Sequence, residues 1–159
     1  MFLIHWPTAF ELNNADAKNP FPRNADGKII MDDEACYVPT WLKLEELYKK
    51  GDKIKAIGVS NFNESQLNEL LAKASVVPQM HQIEIHGYEN MAEMVKFCQD
   101  KKIQVTAYSP LGNPGRPAGL QKGQDVLMED AVVKEVAAKH GKTAAQVQSV
   151  DFWCFSVFG

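Results

Sequence analysis

No stretch of the 159-residue sequence approaches the roughly 18 consecutive apolar residues that a membrane-spanning helix requires, and Pro and Gly interrupt its longest uncharged runs. The sequence therefore predicts no bilayer crossing. The amino terminus, Met1-Phe2-Leu3-Ile4-His5-Trp6-Pro7, lacks a basic segment, and its apolar run stops after four residues, too short for a signal-peptide core. Cytosol is the expected compartment. Lys and Arg do not cluster, and 17 basic against 20 acidic residues leave a formal charge of −3, so neither nucleic-acid phosphates nor anionic lipid meet a positive face. Cysteine is scarce and odd in number. Cys36, Cys98 and Cys154 have no metal-ligand spacing, so reduced thiols are expected, with neither a disulfide frame nor zinc. Internal repeats and low-complexity tracts are missing as well. What remains is 45% hydrophobic and 23% charged, the balance of one folded domain and not of a disordered, collagenous or coiled-coil chain.

Met1 to Trp6, stopped by Pro7, reads as a strand covered on both faces, where no polar alternation is needed. Thr8 to Pro39 reads as a long irregular segment, rich in Asn, Pro, Asp and Gly, of a length that is usually functional or disordered. Trp41, Leu44, Leu47 and Tyr48 then recur at helical spacing, and Lys49-Lys50-Gly51 supplies a basic last turn and a glycine stop. A strand is expected over Ile54 to Val59. Asn63-Glu64-Ser65-Gln66 resembles a capping box for a helix burying Leu67, Leu70 and Leu71. Pro78 opens a strand through Glu84, and a helix from Met91 presents Met91, Met94, Val95 and Cys98 on one face. Ile103 to Tyr108 is the next strand and Ser109 to Gly123 a Gly/Pro-dense loop. One helix is expected from Leu127 to His140, with Val132, Val133 and Val136 on one face and a stop at Gly141, and another starts at Thr143. Strands alternating with helices across short connections predict βα units on a parallel sheet, closed as a barrel or open and doubly wound.

The last stretch departs from this pattern, since Phe152 to Gly159 places aromatics on all sides without caps. Together with a start inside a core strand, it leads to the expectation of a piece of something larger, with one domain over residues 1–148 and a divergent tail over 149–159. Intron read-through or a frame error would account for such a tail.

Four motifs fall at expected strand ends: Leu3-Ile4-His5-Trp6-Pro7, Gly58-Val59-Ser60-Asn61-Phe62, Gln82-Ile83-Glu84-Ile85-His86 and Ala107-Tyr108-Ser109-Pro110-Leu111-Gly112. In a parallel α/β barrel such carboxyl ends ring one face, so their polar side chains are expected to converge on one pocket. Each also has an ordinary structural use. His5 reads equally as a core histidine satisfied by a backbone partner, Trp6 as a packing residue, Ser60-Asn61 as a helix cap and Ser109 to Asn113 as a Gly/Pro turn. Glu84 and His86 read as structural polar groups near the rim, and Lys139 and Lys142 as solvated helix-end charges.

Taken together, in order and spacing, the four motifs resemble the aldo-keto reductase family, (β/α)8 barrels that reduce carbonyls with NADPH. The resemblance runs from Met1 to about Gln148, and residues 19–27 with their neighbourhood look most like the aldehyde reductase branch. It implies a partial TIM barrel, about strands four to seven with their helices. It also implies NADP(H) as cofactor, a small-molecule aldehyde or ketone as substrate, and a monomer for the full-length family form. His5 matches the family's catalytic histidine and, with Trp6, its substrate pocket. Ser60, Asn61 and Gln82 match residues that hold the nicotinamide carboxamide, whose donor and acceptor such side chains complement. Tyr108 matches the position that stacks on the nicotinamide, and Ser109, Leu111 and Asn113 fall in the loop over the pyrophosphate. Asn113 replaces a more usual serine and Gly115 a more usual acid, which weakens that clamp.

The tyrosine, lysine and aspartate that complete the family's catalytic set have no counterpart in the matched stretch. Two further readings therefore stand beside a carbonyl reductase: a non-catalytic fragment that binds a cofactor or partner, and an unstable truncated product. Four strands of a barrel leave open edges that template association. Expressed alone, the chain is expected to be insoluble or to self-associate, and a sharp cooperative melt of a soluble monomer would contradict this.

Overall fold

The computed structural model describes residues 1–11, 21–113, 115 and 126–149. The chain divides into two compact units, Met1–Met80 and His81–Gly159. In the first, β1 (Phe2–Ile4), β2 (Ala9–Phe10), β3 (Met31–Asp32), α1 (Tyr37–Lys49), β4 (Ile57–Ser60) and α2 (Glu64–Lys73) lead to the opening residue of β5 (Met80–Glu84). The second unit continues through β5 to α3 (Ala92–Asp100), β6 (Gln104–Tyr108), a 3-10 turn over Leu127–Glu129 and α4 (Ala131–His140), with further helical residues at 144–149. The four expected strands are present as β1, β4, β5 and β6. The expected tail at Phe152 to Gly159, with Cys154, and much of the loop ending at Gly123 lie outside the described residues.

The first unit is built on a parallel ladder in which Phe2, Leu3 and Ile4 of β1 stand opposite Ile57, Gly58 and Val59 of β4. All four residues of β4 are buried, as the absence of alternation in this stretch requires. Helix α1 packs against β4 with Val38, Trp41 and Leu44 inward. It begins at Tyr37, earlier than the expected loop end at Pro39, because a proline in the first helical turn gives up no hydrogen bond. Leu47, expected in the core, is exposed, and Glu45 is buried instead. The Glu45 carboxylate accepts from Trp41 Nε1 at 2.9 Å, from the backbone N–H groups of Ser75 and Val76 at 2.8 and 2.9 Å, and from the Ser75 hydroxyl. A buried carboxylate so fully satisfied ties the α1 face to the turn that leads into β5.

Asn63 caps α2 through the expected reciprocal pair: its side chain accepts from Gln66 N, and the Gln66 side chain accepts from Asn63 N, both at 2.9 Å. Leu67 and Leu70 are buried, and Leu71 is half-buried. Within the segment expected to be irregular, β2 and β3 form a two-stranded antiparallel sheet, and Arg23 bridges Ile29 across a turn in which Gly27 N–H donates to Asn24 O at 2.9 Å. Strands of two residues are too short for alternation to show in a sequence.

In the second unit Ile83, Ile85 and Val95 form a core against which Met91, Met94, Val105 and Ala107 pack. The helix expected from Leu127 to His140 is divided. Asp130 ends the 3-10 turn and caps α4, its side chain accepting from Val132 N at 2.8 Å and Val133 N at 3.3 Å. The break changes the inward face: Val133 is 9% exposed and Ala137 is buried, whereas Val132 is 67% exposed and Val136 is exposed too. Gly141 ends α4 in the left-handed conformation, φ +59°. Among the described residues, no helix is long and apolar enough to cross a membrane.

Gly58 faces Leu3 across the ladder, and a Cβ there would lie 2.7 Å from Leu3 Cδ2 and closer still to the Met80 carbonyl oxygen. Gly58→Ala is expected to destabilise the chain by about 1–3 kcal/mol, because backbone cannot yield as a flexible side chain does. A denaturant midpoint unchanged by the substitution would refute the tight approach.

Candidate active site

Parallel pairing puts the carboxyl ends of β1 and β4 at the same edge, so His5 and Trp6, just past β1, emerge beside Ser60 and Asn61. Ser60 is the last residue of β4 and is buried. Asn61 turns the chain out of the strand in the left-handed conformation, φ +60°, which Asn tolerates better than other residues with a Cβ. Its side-chain amide donates to the His5 carbonyl oxygen at 2.9 Å and to Ser60 Oγ at 3.1 Å. The structure thus joins two of the expected motifs by a direct bond. The His5 ring is exposed, 6.1 Å from the Trp6 ring, so the core-histidine alternative does not hold for it. The helix-cap alternative for Ser60-Asn61 fails too, since Asn63 is the cap.

The second unit carries the other expected residues. Gln82 is half-buried in β5, and Tyr108 closes β6, its carbonyl accepting from Ile85 N–H at 3.4 Å. Ser109, in the left-handed conformation with φ +51°, opens a turn in which its carbonyl accepts from Gly112 N–H at 2.9 Å. The turn reading of this loop is therefore real geometry, with Leu111 and Asn113 half-buried in and after it. Glu84 and His86 pair at 3.5 Å between Oε1 and Nε2, while His86 Nδ1 accepts from Tyr88 N–H at 3.3 Å. The Tyr88 hydroxyl in turn donates to the α4 cap Asp130 at 2.5 Å, a contact that sequence spacing could not reveal across 42 positions.

His81, adjacent to Gln82, has the environment first considered for His5. It is fully buried, its Nδ1 3.5 Å from Cys98 Sγ, and burial pushes the imidazole down to about 4 and the thiol up to about 11. Both are neutral near pH 7. Cys36 and Cys98 are free thiols, the first exposed. Among the described residues, no group of three or more His, Cys, Asp or Glu side chains is placed to hold a metal ion.

Comparison with known proteins settles the ancestry of this arrangement. The Aldo/keto reductase family profile matches residues 1–149. The chain belongs to that family. It is 44% identical over 147 residues to aldo-keto reductase family 1 member A1 of Cricetulus griseus and of Homo sapiens, in each case covering 92% of this chain and 43% of the relative. Among solved structures it resembles aldose reductase from Giardia lamblia, with TM-score 0.78, 36% identity, and coverage of 92% of this chain and 45% of that one. It also resembles aldose reductase from Schistosoma japonicum, with TM-score 0.72, 32% identity, and coverage of 91% and 42%. The α/β fold is thus a stretch of the aldo-keto reductase barrel, and the chain spans less than half the length of the curated relatives it matches.

Acid should act on this chain in two windows. The folded-state pKa of His81 lies below its ordinary 6.5, so as pH falls the unfolded chain takes up that proton first. Stability is then lost between about 6.5 and 4, by about 1.4 kcal/mol per pH unit. At Glu45 burial raises the carboxyl pKa, but the hydrogen bonds from Ser75, Val76 and Trp41 together outweigh it and hold it below the ordinary 4.5, so its contribution disappears only below that pH. Denaturant titrations at stepped pH should show the first loss abolished in His81→Gln and the second retained. A first window that persists in His81→Gln would assign it elsewhere.

Proposed function

We propose that this chain carries the nicotinamide-side and part of the substrate-side contacts of an NADP(H)-dependent reductase that converts aldehydes or ketones to alcohols. The supporting observation is the bond between Asn61 and the His5 carbonyl, which joins a family cofactor position to the family histidine position within a chain matched over residues 1–149. The donor set fits the cofactor. Ser60 offers a buried hydroxyl, and Asn61 and Gln82 offer amides, each able to meet the donor and acceptor of a carboxamide.

When bound, the dinucleotide supplies a hydride for the carbonyl carbon. In this reading Ser60, Asn61 and Gln82 hold its carboxamide and Tyr108 presents a ring for stacking. Ser109, Leu111 and Asn113 serve the pyrophosphate through the turn closed by the bond between Ser109 and Gly112. His5 directs its imidazole to the substrate oxygen, and Trp6 flanks the substrate. The proton that the product alcohol requires comes in the family from a tyrosine set outside the stretch matched here. The 159-residue chain tested by itself is therefore expected to bind and not to turn over. The free thiols Cys36 and Cys98 accord with a cytosolic location.

NADPH fluorescence titration of the purified chain should give micromolar binding, with no aldehyde-dependent NADPH oxidation in the same sample. Ser60→Ala and Gln82→Ala should each weaken binding about tenfold, which is ~1.4 kcal/mol. Undetectable binding by the unsubstituted chain, or binding by both variants as tight as that of the unsubstituted chain, would overturn the reading.

A further inference from the structure

We propose that Asn61 is a positioning residue for His5, fixing the place where the chain leaves β1 and thereby the direction of the imidazole. This rests on the reading of His5 as a substrate-facing group and of Ser60-Asn61 as cofactor contacts. Among the described residues the His5 ring makes no hydrogen bond, and it is exposed beside Trp6. What the structure fixes for His5 is therefore its backbone, and with it the Cα–Cβ direction from which the imidazole projects. On the amino side the last ladder pair is Ile4 with Val59. On the carboxyl side Pro7 is buried, with a fixed φ that also restricts the backbone of Trp6. Between these two anchors, the bond from Asn61 Nδ2 to the His5 carbonyl, 2.9 Å, ties His5 itself to the neighbouring strand end.

The chemistry fixes which way that amide lies. A carbonyl oxygen only accepts, so the group facing His5 is the NH2, and its second hydrogen is directed at Ser60 Oγ, 3.1 Å away. Oδ1 can then act only as an acceptor. The left-handed backbone of Asn61 is not explained by capping, which Asn63 performs, and it turns the side chain back across the strand end toward His5. A ligand that engages Oδ1 thus acts on the same rigid amide that holds His5. Occupancy at Ser60-Asn61 is coupled to the histidine, and by linkage the coupling is reciprocal.

Nuclear magnetic resonance on the full chain tests this directly. In the unsubstituted protein, a scalar coupling across the hydrogen bond between Asn61 Nδ2 and the His5 carbonyl carbon is expected, with slow exchange of the Asn61 side-chain amide. Asn61→Gly tolerates the left-handed conformation and removes only the side chain. In it the backbone order parameter at His5 should fall from about 0.85 to below about 0.6, while Val59 and Leu67 keep theirs. NADPH should shift the His5 ring signals in the unsubstituted chain, and that shift should vanish in Asn61→Gly. A His5 order parameter unchanged in Asn61→Gly overturns the proposal. If that variant does not fold, absence of the scalar coupling in the unsubstituted chain overturns it instead. Should NADPH perturb neither Ser60 nor Gln82, the cofactor reading fails, while the order-parameter result still decides whether Asn61 positions His5.

Discussion

At Gly58 three segments of the first unit approach more closely than a methyl group permits: the β4 backbone, the Leu3 side chain of β1 and the Met80 backbone at the start of β5. That approach holds the pairing of Leu3 with Gly58, and with it the next pair, Ile4 with Val59. Because strand side chains alternate, a slip of one residue would turn every buried side chain of the ladder to the wrong face. It would also carry His5 away from Asn61. The hydrogen bond that joins the two candidate motifs therefore depends on a position three residues before Asn61 that holds no side chain. A residue with no chemistry of its own sets the geometry in which two polar residues acquire theirs.

Polar burial does comparable work elsewhere. The Glu45 carboxylate, if buried alone, would cost more than any nearby apolar contact returns. It is tolerated because the turn at Ser75-Val76 presents two backbone N–H groups that would otherwise lack partners, and each side satisfies the other. In the second unit the Tyr88 hydroxyl reaches Asp130 while that same carboxylate caps α4, so one side chain both starts a helix and fastens the segment after β5 to it. The close approach of Gly87 to the buried Gln148 side chain places the residues of 144–149 against that segment as well.

The features legible in the sequence are those that close over a few residues. The Asn63–Gln66 box is written at a spacing of three, and so is the Thr143–Gln146 pair, whose reciprocal bonds measure 2.9 and 3.2 Å. β4 shows as an apolar run for a similar reason, since burial on both faces leaves a signature in composition, whereas β1, expected to be covered on both faces, has Phe2 exposed and Leu3 and Ile4 half-buried. What the sequence hides depends on distant partners. Asp130 breaks a helical pattern that the spacing of Val132, Val133 and Val136 continues, and only the tertiary position of Val133 and Ala137 shows which face is inward. The β2–β3 pairing joins residues some twenty positions apart through strands of two residues each. For the site, residue types and order were readable from four motifs, but the left-handed turn at Asn61 was not. That turn is a property of where β4 stops.

Two histidines show why residue type alone leaves a role undecided. His5 and His81 each belong to a core strand run, and either would serve as a satisfied interior histidine. The ladder ends at Ile4, so His5 lies just beyond the strand, where its ring is exposed and only its carbonyl is held. His81 is the second residue of β5, inside the alternation that buries Ile83, and it meets Cys98 from α3 with burial holding both groups neutral. An imidazole locked in that environment can neither reach a substrate nor take up a proton near neutral pH without loss of stability. The position of each histidine relative to its strand, beyond the end of β1 for His5 and inside β5 for His81, thus decides which of the two rings is exposed and which is buried.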